Sequence, residues 1–441
     1  MVDRGYDLDP PSTTHDPTQM KYSIITFGCR VNQADSLSIE GQLRARGGIA
    51  VAVEDADVVV VNTCSVTASA DQGARQTIRR IARGNPDVRI VVTGCYASRQ
   101  PDDVADLPNV THVVGNSGKD TLVSDFADEI GLTTVERFGD GDGACGASLT
   151  PGVAGRTAFT LRVQTGCDEQ CSYCIIPKTR GHGRSRPLAQ VLRDIALATE
   201  AGYKEIAITG VHLGSYGRDL GDGSSLTTLV RALTDYADHK GPRRIPEHEA
   251  HRVLFRISSL EPMDCTPEIV DLVASSDSLA PHFHLPLQHG SDRLLAAMRR
   301  PYTAAQYTAL VDRIHRRMPH ASIGSDIIVG FPGERDEDMA EMRSVLASLP
   351  LSHLHVFPYS DRPGTEASLM RDKVEGRTVR ERGHGIRAVG EQMTRRFRES
   401  QVGTTRRALT VDDGWSAVTD NYIKVRLERQ HARNEWIAVD L

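Results

Sequence analysis

Residues 164–186 read QTGCDEQCSYCIIPKTRGHGRSR, and their cysteines, Cys167, Cys171 and Cys174, stand in C-x3-C-x2-C spacing. None of the other five cysteines lies close by in sequence. Thiolates so spaced, in a loop opened by Gly166, can reach three corners of one iron–sulfur cube. A cube needs four ligands, so three cysteines leave one iron open to a substrate or cofactor. Zinc is the alternative, but a structural zinc takes four closed ligands, usually with two C-x2-C pairs. His182 is available as a fourth ligand; its flanking Gly181 and Gly183 and the nearby arginines make it read instead as part of a basic loop. The spacing favours the cluster.

Downstream, short apolar runs alternate with helical stretches. Strands are expected at 158–163, 205–209, 253–257, 282–287, 322–329 and 353–357, and a helix over 188–202 that ends at a C-cap glycine, Gly202. Six strands alternating with helices predict an incomplete β/α barrel, with polar residues and glycines at the strand C-termini, where barrel chemistry sits. A glycine at one strand end is ordinary turn chemistry; recurrence at most strand ends supports a site. His282, His284 and His289 invite a metal reading, and on a strand His282 and His284 share a face. The segment 213–223, LGSYGRDLGDG, lacks the Lys-Ser/Thr of a phosphate loop. The polar residues 235–249, with Pro242 and Pro246, read as a charged surface insertion, and Cys265 as a structural thiol.

Upstream, strands are expected at 22–27, 57–61 and 88–92, with a weaker fourth beginning at 112–114, and helices around 36–46 and 67–83. Valine-rich runs separated by helices indicate a parallel sheet covered on both faces. Cys29, Cys64 and Cys95 each follow the C-terminal end of one of these strands, the edge where ligands bind in open parallel sheets. One such cysteine is by default a buried thiol. Three at the same topological position predict a second three-cysteine cluster.

The motif C-x3-C-x2-C with Tyr173 just before the last cysteine resembles the signature of radical S-adenosylmethionine (SAM) enzymes. In that superfamily the open iron chelates SAM, which is cleaved to a 5′-deoxyadenosyl radical. The tail CSYCIIPKTRGHGRSR resembles a narrower group, the methylthiotransferases, which read C-x-Y-C-I-I/V-P-x-x-R-G-x-x-R-S-R. FGCRVNQ at 27–33 and NTCSVT at 62–67 resemble the N-terminal domain of the same family. The resemblance runs from Lys21 to the end of the chain. It implies two [4Fe–4S] clusters, a radical SAM cluster on Cys167, Cys171 and Cys174 and an auxiliary one on Cys29, Cys64 and Cys95 that carries the sulfur to be inserted. Tyr173, Gly210, Glu261 and Gln288 are then expected on the SAM side, and PHFHLPLQ at 281–288 resembles a family strand without a metal, which makes its histidines core or SAM-side residues. The implied reaction replaces a C–H bond with C–SCH3 using two SAM, a bond too inert for acid–base chemistry. It needs an electron donor and a sulfur donor.

GCRVNQ, CSVTASAD and HVFPYSDRPGT most resemble the branch that acts on N6-threonylcarbamoyladenosine beside the anticodon of tRNA. Relatives act on isopentenyladenosine in tRNA or on an aspartate of a ribosomal protein. A non-catalytic iron–sulfur or zinc protein that binds RNA is the reading from a different class.

The net charge of −6 over 441 residues announces no global basic field for nucleic acid. From 371 to 441, however, 15 Lys and Arg stand against 11 Asp and Glu. Arg395, Arg396, Arg398, Arg406 and Arg407 cluster there, followed by short strands at 408–411, 415–419 and 422–427. A solvated basic helix end and a small RNA-binding β-barrel both fit this pattern; the resemblance implies the barrel, the family's TRAM domain. Eight cysteines in a chain without a signal-peptide pattern or an apolar run of membrane length read as metal ligands and free thiols of a cytoplasmic protein. The expected fold is α/β. Its parts are a disordered tail (1–19), an N-terminal open-sheet domain (20–132), a linker (133–156) with an idle Cys145, a partial β/α barrel (157–394) and a short TRAM-like domain (395–441).

Overall fold

The computed structural model describes residues 20–126, 157–240 and 253–441. The expectations for 1–19, for the linker with Cys145 and for most of the 235–249 insertion lie outside the described residues. Its first six residues do not: Asp235 and its successors continue the helix Leu226–Lys240, whose Leu229, Val230, Leu233 and Ala237 keep one apolar face buried.

The first sheet is formed by β1 (Lys21–Thr26), β2 (Ile49–Ala50), β3 (Val58–Thr63), β4 (Arg89–Gly94) and β5 (Val110–Val114), all parallel in the order β2-β1-β3-β4-β5. The two-residue β2 carries too little pattern to be read from sequence. Val58 and Val60 of β3 pack into one core with Ile39 and Leu43, while Val59 and Val61 pack into another with Ile78 and Ile81. A continuous valine run is therefore buried on both faces by helices Arg30–Ala45 and Ala68–Gly84. Because β1, β3 and β4 are neighbours, Cys29, Cys64 and Cys95 lie side by side at one sheet edge.

β6 (Phe159–Arg162) leads through the two-residue strands β7 (Gln164–Thr165) and β8 (Arg184–Ser185), which pair around the cysteine loop. β6 joins β9 (Glu205–Thr209) and β10 (Leu254–Ile257) in one parallel sheet, and β11 (His282–His284), β12 (Ser322–Val329) and β13 (His353–Pro358) form another. A bridge between Ser259 and His284 connects the two, giving a six-stranded partial barrel. β11 stops earlier than expected, at His284, because Pro286 has no N–H to donate.

Helix Gly376–Gln401 packs on β13 and carries the chain past residue 394 without a break. The last sheet, antiparallel in the order β16-β15-β14-β17, comprises β14 (Thr405–Val411), β15 (Ser416–Thr419), β16 (Lys424–Arg426) and β17 (Trp436–Asp440). Here the arginines behave differently from expectation. Arg406 pairs with Asp420 at 2.7 Å, and Arg407 bonds the Asp277 carbonyl and lies over Trp436, so both hold the sheet together and onto the barrel. Arg395, Arg396 and Arg398 are exposed on the helix.

Among the described residues no helix is long and apolar enough to cross a membrane.

Candidate functional site

The 164–186 loop is shaped by backbone constraints. Gly166 has φ +75°, and a Cβ there would sit 1.8 Å from the His182 carbonyl oxygen, so only glycine lets the loop close. Cys167 N–H then donates to the Gly181 carbonyl at 3.0 Å, and Cys174 N–H to that of Cys171 at 3.0 Å. Asp168 accepts from Gly183 N–H at 3.0 Å and lies 2.7 Å from His182 Nδ1. His182 is 95% exposed and turned to this carboxylate, which rules against it as a fourth ligand and leaves it in the basic loop. Gln164 ties the loop to the end of β9: its Oε1 accepts from Val211 and His212 N–H, each at 2.9 Å, and its Nε2 donates to the Gly166 carbonyl and Ser215.

The thiols are sheltered. Burial pushes Cys174 up to about 12, with Cys171 and Cys167 adding to the shift. Arg300, buried, donates from Nη1 to Cys171 Sγ at 3.2 Å and pairs with Glu261, so one guanidinium joins the cluster loop to an expected SAM-side carboxylate. Burial works against a charge on His212, but hydrogen bonds to Asp264 and Cys167 outweigh it and push its pKa up to about 10.

At the first sheet, Gly28 (φ +90°) leaves the space into which Cys64 reaches; a Cβ would lie 2.6 Å from Cys64 Cβ and 2.7 Å from its Sγ. Burial pushes Cys64 up to about 11, reinforced by Cys29 and Cys95. Val66 N–H approaches Cys64 Sγ at 3.5 Å and Asn116 Nδ2 approaches Cys95 Sγ at 3.6 Å, donors that suit a thiolate. The seven cysteines among the described residues are all free.

Each triplet is a set of three free thiols, a donor set that suits an iron–sulfur cube with one open iron, whereas a closed structural zinc takes four ligands.

The first triplet and Cys174 of the second line one cavity of about 1050 Å³. Cys29, Cys64 and Cys95 line one side, and Cys174 and Tyr173 the other, with Gly210, Glu261 and Gln288 at the barrel strand ends. Cys167 and Cys171 instead line a recess of about 330 Å³ that also takes in Cys174. What holds the domains in this register is a buried ionic knot. Asp35 is paired with Lys119 and Arg162 at 2.7 Å each and with Arg180 at 3.3 Å, and Arg180 also bonds Asn32 at 2.5 Å. Arg180 sits one helix beyond Cys174 yet contributes a hydrogen bond to Cys95. On the far side Arg362 bonds Ser65 and Asp71, closing the barrel on the first domain.

Sequence reading missed the C-terminal contribution. Tyr422, with φ +72°, lines the cavity. Its hydroxyl accepts from Arg30, next to Cys29, at 2.8 Å, and its ring lies 4.8 Å from the Arg256 guanidinium and 4.7 Å from His282. The Asn421 side chain anchors the turn on the His320 carbonyl and Gln401. His282 and His284 line the cavity as well, while His289 is fully buried 3.5 Å from Glu334.

Comparison with known proteins agrees with this geometry. The family profile described as "Uncharacterized protein family UPF0004" matches residues 21–115, and that of the Radical SAM superfamily matches 161–346. The threonylcarbamoyladenosine tRNA methylthiotransferase MtaB of Aquifex aeolicus is 36% identical over 93% of this chain and 97% of its own length. The tRNA-2-methylthio-N(6)-dimethylallyladenosine synthase of a Janthinobacterium species is 32% identical over 94% of this chain and 92% of its own. A structure of the radical SAM methyltransferase TsrM from Kitasatospora setae, with cobalamin and a [4Fe–4S] cluster bound, has a TM-score of 0.57 at 16% identity, covering 80% of this chain and 77% of that one, a likeness of fold. The length and level of the sequence matches, together with the cysteine loop at the head of the barrel, establish that the chain belongs to the radical SAM methylthiotransferases.

Proposed function

We propose that the protein transfers a methylthio group to C2 of N6-threonylcarbamoyladenosine beside the anticodon of tRNA, using two SAM and two [4Fe–4S] clusters. The observation that carries this reading is the shared cavity: three thiols of one domain and Cys174 and Tyr173 of the other line one space of about 1050 Å³. In this reading Cys167, Cys171 and Cys174 hold the radical cluster, and Cys29, Cys64 and Cys95 the auxiliary one. The bound cofactors supply the hydrogen-abstracting radical and the methylated sulfur. The chain positions the reactants: Gln164 and Gly166 set the cluster loop, Arg300 links it to Glu261, and Asp35 with Arg180 fixes the distance between the two sets of thiols. Gly210 and Gln288 line the SAM side. Electrons and sulfur come from donors outside the chain.

The threonylcarbamoyl substrate is favoured over the isopentenyl one by the cavity wall. It presents the guanidinium groups of Arg30 and Arg398. A carboxylate- and hydroxyl-bearing side chain can accept hydrogen bonds from these guanidinium groups, whereas an isopentenyl chain offers them no acceptor. The MtaB match supports the same choice. A base inside the cavity has left the anticodon stack, and the exposed Arg395, Arg396 and Arg398 of the last helix, of which Arg398 lines the cavity, form with the sheet from Thr405 onward the RNA-holding part. Nucleosides from tRNA of a strain lacking the gene test this. The methylthiolated threonylcarbamoyl nucleoside should disappear and its unmethylthiolated precursor accumulate. Loss of the isopentenyl counterpart instead would refute the substrate assignment.

A further inference from the structure

The inner face of the partial barrel carries a group of side chains that methylthiolation leaves unused. Residues alternate across a strand, so His282 and His284 of β11, Asp326 of β12, and His353 and His355 of β13 fall on the face that lines the cavity. Asp326 and His355 are direct cross-strand partners. His284 pairs with Gly324, where a Cβ would sit 2.1 Å from His353 Nε2, so glycine makes room for the ring between the other two.

We propose that His284, Asp326 and His355 form a binding site for one divalent transition-metal ion, separate from both cysteine triplets. Asp326 Oδ1 lies 3.0 Å from His284 Nε2 and 3.2 Å from His355 Nδ1, and the three ligand atoms all fall within 4.8 Å of one another. Bonds of about 2.0–2.1 Å in a tetrahedral site place neighbouring ligand atoms roughly 3.3 Å apart, close to the two measured edges. Two imidazoles and one carboxylate with open positions is a donor set suited to zinc- and iron-class divalent ions, not to magnesium or calcium, which take oxygen ligands.

The surroundings add a second observation. His282 is only 5% exposed and its Nδ1 has no hydrogen-bond partner. A barrel interior normally fills with apolar side chains; here four imidazoles within 6.5 Å of their neighbours occupy it. His353, half-buried, is held with its Nδ1 2.9 Å from the Ser352 hydroxyl. Three protein ligands leave at least one coordination position, open to the cavity, for water or an oxygen of a bound substrate.

The proposal does not depend on which nucleoside is modified, and its test is a binding measurement. Full-length protein, loaded anaerobically with iron and sulfide, is dialysed to equilibrium against radioactive Zn²⁺. Wild type should take up one zinc per chain with its iron content unchanged. Asp326→Asn and His355→Ala should each bind that zinc more than about tenfold more weakly, since even loss of an outer-shell partner has an effect of that size, and should retain wild-type iron. The His355 variant changes a half-exposed side chain and guards against a folding defect in the other. No zinc on wild type, or equal zinc on wild type and both variants, would overturn the proposal; so would zinc taken up only as iron is lost.

Discussion

Gly28→Ala probes how the auxiliary site is built. Two costs can be worked from the structure. The residue has φ +90°, which an L side chain adopts at about 1–2 kcal/mol. The new Cβ would also lie 2.6 Å from Cys64 Cβ and 2.7 Å from Cys64 Sγ, about 1 Å inside contact distance. Overpacking of this kind costs about 1–3 kcal/mol. The sum, about 2–5 kcal/mol, corresponds to about 30-fold to several thousandfold in the equilibrium for the geometry that lets three thiols converge. The assay is iron content after anaerobic reconstitution, together with SAM cleavage. Iron should fall from about eight to about four per chain, while cleavage to 5′-deoxyadenosine persists, because the 164–186 loop belongs to the barrel. Gly47→Ala is the control: φ is +84° but nothing lies within 4 Å of its Cβ, so it bears the backbone cost alone and should keep full iron. Full iron and normal activity in Gly28→Ala would refute the reasoning.

Asp35→Asn leaves Lys119, Arg162 and Arg180 without their shared carboxylate, and should cost about 3–5 kcal/mol at neutral pH by urea unfolding. Burial alone would raise the Asp35 pKa, but the three cations outweigh it and hold it below its ordinary value. Its contribution is therefore present above the unfolded pKa of about 3.9 and lost as pH falls through the folded one, so the variant's deficit should shrink in acid. A deficit under about 1 kcal/mol at pH 7 would remove the knot from the account. Changing Arg395, Arg396 and Arg398 together to alanine should weaken tRNA binding and flatten its dependence on log salt by about two units, as expected for three lost phosphate contacts on single-stranded RNA. Filter binding across a salt series reads this, and an unchanged slope would place the RNA surface elsewhere. Arg406→Ala should lower thermal stability instead, since Arg406 is committed to Asp420.

Local patterns made the two cysteine triplets and most strands legible. The C-x3-C-x2-C spacing is a one-loop feature, and the valine runs of β3 and β4 announce burial on both faces. Cys29, Cys64 and Cys95 could be grouped because each follows a strand. What sequence could not supply is pairing across long separations. Arg300 meets Cys171 from 129 residues away, and Arg30 meets Tyr422 from 392. The same limit hid the partners of Arg406 and Arg407, since Asp420 and Asp277 come from a turn and a barrel loop. His284 was visible as one histidine of a strand, and its meaning changes once Asp326 and His355 stand beside it on neighbouring strands. β17 escaped notice because Trp436–Asp440 finds its place only by pairing with β14.

The central claim, two separate clusters facing one cavity, is tested most directly by counting iron and following SAM cleavage in three proteins. These are the wild type, a variant with Cys29, Cys64 and Cys95 changed to alanine, and one with Cys167, Cys171 and Cys174 changed to alanine. Reconstituted anaerobically, they should hold about eight, about four and about four irons per chain. Cleavage to 5′-deoxyadenosine should survive in the first variant and vanish in the second. Wild-type iron in either variant, or zinc in place of iron in the wild type, would contradict the account.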